Sequence, residues 1–135
     1  MQATFSFAHD YVSGQLIIEQ PRMTRPLEGA NNLIGYLTIK NNGQMVERFI
    51  GAKADFARSV QIHAPLDNSS AGKSSWFRGR VDIPPGEVLQ LEVGGMFLIF
   101  MDVNQKIDVG RSRMVKLLFE NAGIIEVEFY CAWSC

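Results

Sequence analysis

The sequence predicts a single all-β domain of the β-sandwich or Greek-key barrel type. Three observations lead to this fold class: short segments in which apolar and polar residues alternate, turn residues spaced regularly between them, and no long helical pattern. The 135 residues are an ordinary length for one domain, so we expect a single domain over residues 1–135. Hydrophobic residues make up 47% and charged residues 20%, which is too apolar for a disordered chain.

Period-two alternation predicts strands in order along the chain, with core residues on one face of each. In the segment 59–63, Val60 and Ile62 face the core, and His63 faces the opposite side. The other clear segments are 36–40, 87–93, 114–120 and 125–129. The core residues predicted in the last three are Leu89, Leu91, Val93, Val115, Leu117, Phe119, Ile125, Val127 and Phe129.

Turn residues separate these segments, because glycine, proline and asparagine supply the backbone angles of chain reversals. They occur at 41–43, 84–86, 94–95, 108–110 and 121–123. Two irregular stretches, 21–32 and 65–79, are predicted to be loops. The spacing predicts seven or eight strands in total.

Composition excludes several functions. Thirteen basic and fourteen acidic residues give a net charge of −1 without a basic run, so no nucleic-acid partner is expected. The longest apolar stretch, 96–101, is far shorter than the roughly 20 residues that span a bilayer. Residues 1–7 lack the basic and apolar regions of a secretory signal. The motifs of common enzyme classes are absent, so the chain is not expected to be an enzyme.

His63 is the first candidate for chemistry. It lies on the outward face at the end of a predicted strand, just before Pro65, which is a suitable position for a ligand or an acid–base group. The alternative is an ordinary surface histidine.

The segment 96–101 is apolar on both faces. One face can be core, while the other is either buried in a central strand or exposed as a patch that binds a partner. Met101 shares the face of Phe97 and Ile99. Its thioether could bind a soft ion such as Cu(I), although a core methionine is the commoner case.

Cys131 and Cys135 could act as soft thiolate ligands if the chain turned between them. In an extended segment their Cα atoms would be roughly 13 Å apart, whereas a disulfide needs about 7 Å or less. They can therefore pair only if the tail turns. The alternation places Cys131 on the core face, and the favoured interpretation is a buried, inert Cys131 with a mobile terminal Cys135.

Several segments together resemble the PCu(A)C family of bacterial periplasmic copper chaperones. They are GYLTIKNNG at 35–43, IGA at 50–52, VQIH at 60–63, VDIPPG at 81–86, GGMFLIFM at 94–101 and FENAG at 119–123. The resemblance implies a cupredoxin-like Greek-key β-sandwich and a periplasmic or extracellular location. It also implies delivery of Cu(I) to the Cu(A) site of cytochrome oxidase, with oxidase assembly proteins as partners.

The family's Cu(I) ligands are a histidine, a methionine about twelve residues later, and a His-x-Met pair after the double glycine. Here His63 matches the first, the methionine position falls at or beside Ser75, and the pair reads as Phe97 and Ile99. Phenylalanine and isoleucine have no lone pair for a metal, so the resemblance implies a degenerate site.

Two hypotheses follow from this departure. In the first, the chain still carries copper through a rebuilt site, made of His63 with Met101 or Met96, or of the C-terminal thiols. In the second, it is a metal-free module that binds a protein or an apolar ligand through a surface of Trp76, Phe97 and Ile99.

Overall fold

Alternating side chains and frequent turns produce a chain made of strands. The computed structural model describes residues 10–26, 31–66 and 74–135, and these ranges contain no α-helix. No helix there is long and apolar enough to cross a membrane. The strands are β1 (Tyr11–Ser13), β2 (Leu16–Thr24), β3 (Leu33–Asn41), β4 (Glu47–Lys53), β5 (Ala57–Pro65), β6 (Ser74–Trp76), β7 (Val81–Ile83), β8 (Val88–Leu91), β9 (Phe97–Val103), β10 (Ser112–Phe119) and β11 (Gly123–Cys131).

The strands form one mixed sheet in the order β6-β5-β9-β3-β2-β11-β10-β4-β7, with β1 added to β2 and β8 added to β3. Most neighbouring strands are antiparallel, whereas β11 runs parallel to β2. The sheet curls so that its halves face each other as a sandwich around a shared apolar core. The predicted all-β fold class is therefore confirmed.

The core follows the predicted alternation in most strands. Val115, Leu117 and Phe119 of β10 are buried, as are the predicted core residues of β11, Ile125, Val127 and Phe129. Val93 is an exception, because β8 ends at Leu91 and Val93 lies in the following turn with 80% of its surface exposed. The prediction of Val93 as a core residue was wrong.

Both predicted loops contain strands. β2 continues through Pro21 to Thr24, because its register to β3 shifts between Glu19 and Arg22 where Gln20 has a φ of 51°. A proline is tolerated at such an irregularity, where its missing N–H removes no ladder bond. In the second loop, residues 74–76 form β6 against β5, and residues 67–73 lie outside the described ranges.

The structure describes eleven strands where seven or eight were predicted. β1, β6 and β7 have three residues each and β8 has four. Segments this short contain too few alternations to be recognised, and pairing with neighbouring strands in the sheet defines them.

The C-terminal segment turns back after β11. Cys131 is buried, as predicted, but it forms a disulfide with Cys135, with the two Cα atoms 6.2 Å apart. The interpretation of two unpaired cysteines with a mobile Cys135 was wrong. The reason is hydrogen bonding to a segment far away in the sequence: the Ala132 N–H donates to the Met23 carbonyl at 3.0 Å, and the Arg25 N–H donates to the Ser134 carbonyl.

Candidate functional site

Three strands bring together the residues that the sequence singled out. His63 of β5 lies directly opposite Phe97 of β9 on one side and Trp76 of β6 on the other. One step along the same face, Gln61 lies opposite Ile99. Directly opposed residues have Cβ atoms about 4.5–5.5 Å apart, so the three rings form one cluster.

The His63 imidazole is held by a ring contact on one face and by a hydrogen bond at one nitrogen. Its plane stacks on the Phe97 ring with centroids 5.7 Å apart. Its Nε2 lies 3.0 Å from the Gln61 Oε1, and donation to this acceptor places the proton on Nε2. Nδ1 then carries the lone pair, and it is buried without a hydrogen-bond partner in the described structure. Burial lowers the pKa of His63 below its usual 6.5, because the charged form loses hydration.

Trp76 forms the outer part of the cluster. It is 45% exposed, and the Arg78 guanidinium lies 4.0 Å from the centre of its ring, which is a cation–π contact. Phe97 and Ile99 are half-buried on the same side of the sheet. These three partly exposed apolar residues therefore flank His63, with Trp76 on one side and Phe97 and Ile99 on the other.

The double-sided apolar strand is explained by its position between β5 and β3. Leu98 and Phe100 are fully buried in the core, whereas Phe97, Ile99 and Met101 on the other face are half-buried. The face of β9 that carries Phe97, Ile99 and Met101 is thus only partly accessible to solvent.

The strand register separates Met101 from His63, and Met96 packs against the core. Met101 is opposite Ser59 in β5, four residues along the strand from the His63–Phe97 pair. Four residues of strand span roughly 13 Å, which is more than two side chains can bridge through one ion. Met96 precedes β9 and packs against the core.

The other potential donors do not converge either. The sulfurs of Cys131 and Cys135 are joined in the disulfide, so they offer no thiolate. Among the described residues, no group of three or more His, Cys, Asp or Glu side chains is placed to hold a metal ion.

Alternation predicts that Gln61 lies on the same face of the strand as His63, and the structure brings the Gln61 Oε1 within 3.0 Å of the His63 Nε2. The hydrogen bond itself was not predicted. The family's methionine position falls at or beside Ser75, and the strand register shows which residue there faces the histidine. Ser75 lies opposite Ala64, whereas Trp76 lies opposite His63. No sequence pattern gives this register, since residues 67–73 separate β6 from its partner.

Comparisons with known proteins agree with this geometry. Residues 16–130 match the model of a family described as putative lipoprotein LpqE-like. The copper-bound PCuAC domain from PmoF2 superposes with a TM-score of 0.77 at 27% identity, covering 92% of this chain and 97% of that domain. The apo PCuAC domain from PmoF1 gives the same TM-score and identity over 91% of this chain and 98% of that one.

A more distant structure shows the fold alone. Cu(I)-bound DR1885 from Deinococcus radiodurans superposes with a TM-score of 0.67 at 14% identity, covering 85% of this chain and 76% of that protein. No curated protein matches the sequence.

The all-β sheet with its histidine on β5 is thus the cupredoxin-like fold of PCuAC copper-chaperone domains. The chain belongs to the LpqE-like family, whose model covers nearly all of the described strands.

Proposed function

We propose that this protein is a copper-handling relative of the PCuAC chaperones, and that His63 is the residue that binds Cu(I). The observation that supports this most directly is the imidazole itself. Gln61 holds Nε2–H, and the Nδ1 lone pair is left without a partner beside a partly exposed surface. Orientation of a ligating histidine through its other ring nitrogen is the usual arrangement in metal sites.

The proposed site is degenerate. Phe97 lies opposite His63, and Ile99 lies opposite Gln61. Neither of the two hydrophobic side chains has a lone pair to donate to a metal. A single imidazole binds Cu(I) more weakly than a set of thioethers and imidazoles. We therefore propose that the protein takes up and releases copper readily, in the periplasm or outside the cell, with the Cu(A) site of cytochrome oxidase or its assembly proteins as recipient.

Anaerobic Cu(I) titration against a competing chelator tests this proposal. We expect one ion per chain with a Kd of about 1 µM or tighter, weakened at least about tenfold by His63→Ala. As a gain-of-function variant, Trp76→Met/Phe97→His/Ile99→Met should bind at least about a hundredfold more tightly, because it places soft donors around His63. Binding weaker than micromolar, or binding unchanged by His63→Ala, would rule out copper carriage through His63.

A second candidate function is supported by the exposure of Trp76. A tryptophan that is 45% exposed, next to half-buried Phe97 and Ile99, is a surface suited to an apolar ligand or a protein. In this case the protein would act as a metal-free interaction module. Absence of Cu(I) binding in both the wild type and the triple variant would favour this alternative.

A further inference from the structure

Trp133 is the most exposed large hydrophobic side chain of the described structure, with 81% of its surface accessible. It lies on the loop that the Cys131–Cys135 disulfide closes. The backbone of this loop is fixed to β2 through the bonds from Ala132 to Met23 and from Arg25 to Ser134. The indole is therefore displayed on a rigid support and is held away from the core.

A second exposed apolar side chain lies on the loop that is hydrogen-bonded to Cys131. Val109, 57% exposed, lies in the turn where the Arg111 N–H donates to the Asp108 carbonyl at 3.0 Å. Gly110 in this turn has a φ of 86°, and its N–H donates to the Cys131 carbonyl at 2.9 Å. This bond joins the two loops, and we call Val109, Trp133, Arg25 and Arg111 the Trp133 tip.

Four arginines belong to the segments that meet at these loops, and one acidic residue, Asp108, lies in the turn with Val109. Arg25 donates to the main-chain oxygen of Cys135 at 2.6 Å, and the Arg111 carbonyl accepts from the Cys131 N–H. Arg22 lies opposite Tyr130 of β11, and Arg113 lies opposite Phe129. None of these four arginines forms an ion pair with an Asp or Glu of the described residues.

Arginines elsewhere in the sheet are neutralised. Arg48 contacts Asp82 and Glu120, Arg80 contacts Glu120, and Arg58 contacts Asp102, all at 3.0 Å or less. Glu120 follows β10 at the end opposite to Ser112, and β10 spans eight residues. The end of β10 and β11 near Trp133 thus carries four arginines without an ion pair among the described residues, against the carboxylates of Asp108 and Glu128.

We propose that the Trp133 tip docks onto the surface of a bilayer that contains anionic phospholipid. Tryptophan prefers the headgroup region of membranes, and clustered arginines are attracted to anionic headgroups. The tip projects outward, and the cavity beside it, lined in part by Arg25 and Cys135, has a volume of about 40 Å³. An exposed indole with cations on the neighbouring segments is the combination that lies at the headgroup level of anionic bilayers. This inference is independent of copper binding.

Vesicle flotation and tryptophan fluorescence test the proposal with the oxidised full chain. We expect flotation with equimolar phosphatidylcholine–phosphatidylglycerol vesicles and none with phosphatidylcholine alone. Trp76→Phe leaves Trp133 as the reporter and should show a blue-shifted emission on the anionic vesicles. Trp133→Phe leaves Trp76, whose emission should not change.

Matched charge variants separate the tip from general electrostatics. Arg25→Gln and Arg111→Gln should each weaken vesicle binding about fivefold, while Arg80→Gln, at the far end of β10, should change it by less than about twofold. Any of three results would overturn the proposal: no flotation on anionic vesicles, a blue shift from Trp76 and not Trp133, or equal losses from all three arginine variants. Equal binding to neutral vesicles would also contradict it.

Discussion

His63 is surrounded by side chains of the sheet. Phe97 stacks on its ring, Trp76 lies opposite it on β6, and Gln61 accepts the hydrogen bond from its Nε2–H. Alternation alone predicted that this histidine points away from the core, and it does. The stack and the unpartnered Nδ1 could not be predicted, because they depend on the register of β9 and β6 against β5. The sequence therefore identified the residue but not its protonation state.

The environment of His63 leads to a pH prediction. Burial lowers the pKa of His63 in the folded protein, so the unfolded chain binds the proton more readily. The contribution to stability is complete above the unfolded value of 6.5 and is lost as the pH falls through the folded pKa. We expect His63→Gln, which keeps an amide near Gln61, to reduce the loss of stability on acidification.

Urea unfolding of the wild type and His63→Gln at about pH 8 and about pH 5 measures this difference. Arg78, whose guanidinium contacts the Trp76 ring, is present in both proteins. A variant that loses as much stability as the wild type on acidification would show that His63 is not the responsible group.

At the scale of strands, long elements with strict alternation were predicted and short ones were not. The predictions for β10 and β11 were confirmed, because these strands of eight and nine residues alternate between apolar and polar side chains along most of their length. β6 and the second half of β2 were assigned to loops, because proline at position 21 and a serine-rich stretch before Trp76 are typical of loops. Their strand character comes from pairing with β3 and β5, which is non-local information.

The register between β4 and β10 contains an unfavourable pair. Lys53 lies directly opposite Lys116, and like charges in this position destabilise a sheet. Lys53→Glu converts the pair into an attractive one, so we expect the free energy of unfolding to rise by about 0.2–1 kcal/mol. Urea unfolding at low ionic strength measures the change.

Lys106→Glu is the matched control, because Lys106 lies between β9 and β10 and has no cross-strand lysine opposite it. We expect Lys106→Glu to change the free energy of unfolding, relative to the wild type, by less than Lys53→Glu does. The gain should also shrink in high salt, where exposed charges are screened. Equal effects of the two variants would indicate a response to net charge and not to the opposed pair.

For the whole molecule, the fold class was predictable and the closure of its C-terminal segment was not. Alternation and the resemblance to copper chaperones both indicated the sandwich, and the superposition on PCuAC domains agrees. The disulfide was missed because an extended tail separates its cysteines too far. The bonds from Ala132 and Arg25 that turn the tail connect residues more than a hundred positions apart.

The disulfide should stabilise the fold. Cross-linking a loop of about five residues removes entropy from the unfolded chain worth about 2 kcal/mol. We expect Cys131→Ala/Cys135→Ala to lower the free energy of unfolding by about this amount, as measured by urea denaturation without reductant. Reduced wild type is the control, because it loses the cross-link while keeping the buried sulfur of Cys131. If reduction changes nothing, the loss in the double variant comes from packing at Cys131 alone.

The parallel contact between β2 and β11 has a consequence for how the molecule forms. The first long strand of the chain and the last one lie side by side in the middle of the sheet, at Arg22–Tyr130 and Met23–Cys131. The ribosome makes β2 long before β11, so β2 lacks one of its neighbours while the intervening strands are synthesised. Contacts of such high sequence separation also make folding slow. At Arg22 and Met23, one edge of β2 therefore stays unpaired until β11 has been made, and the sheet can close only from that point on.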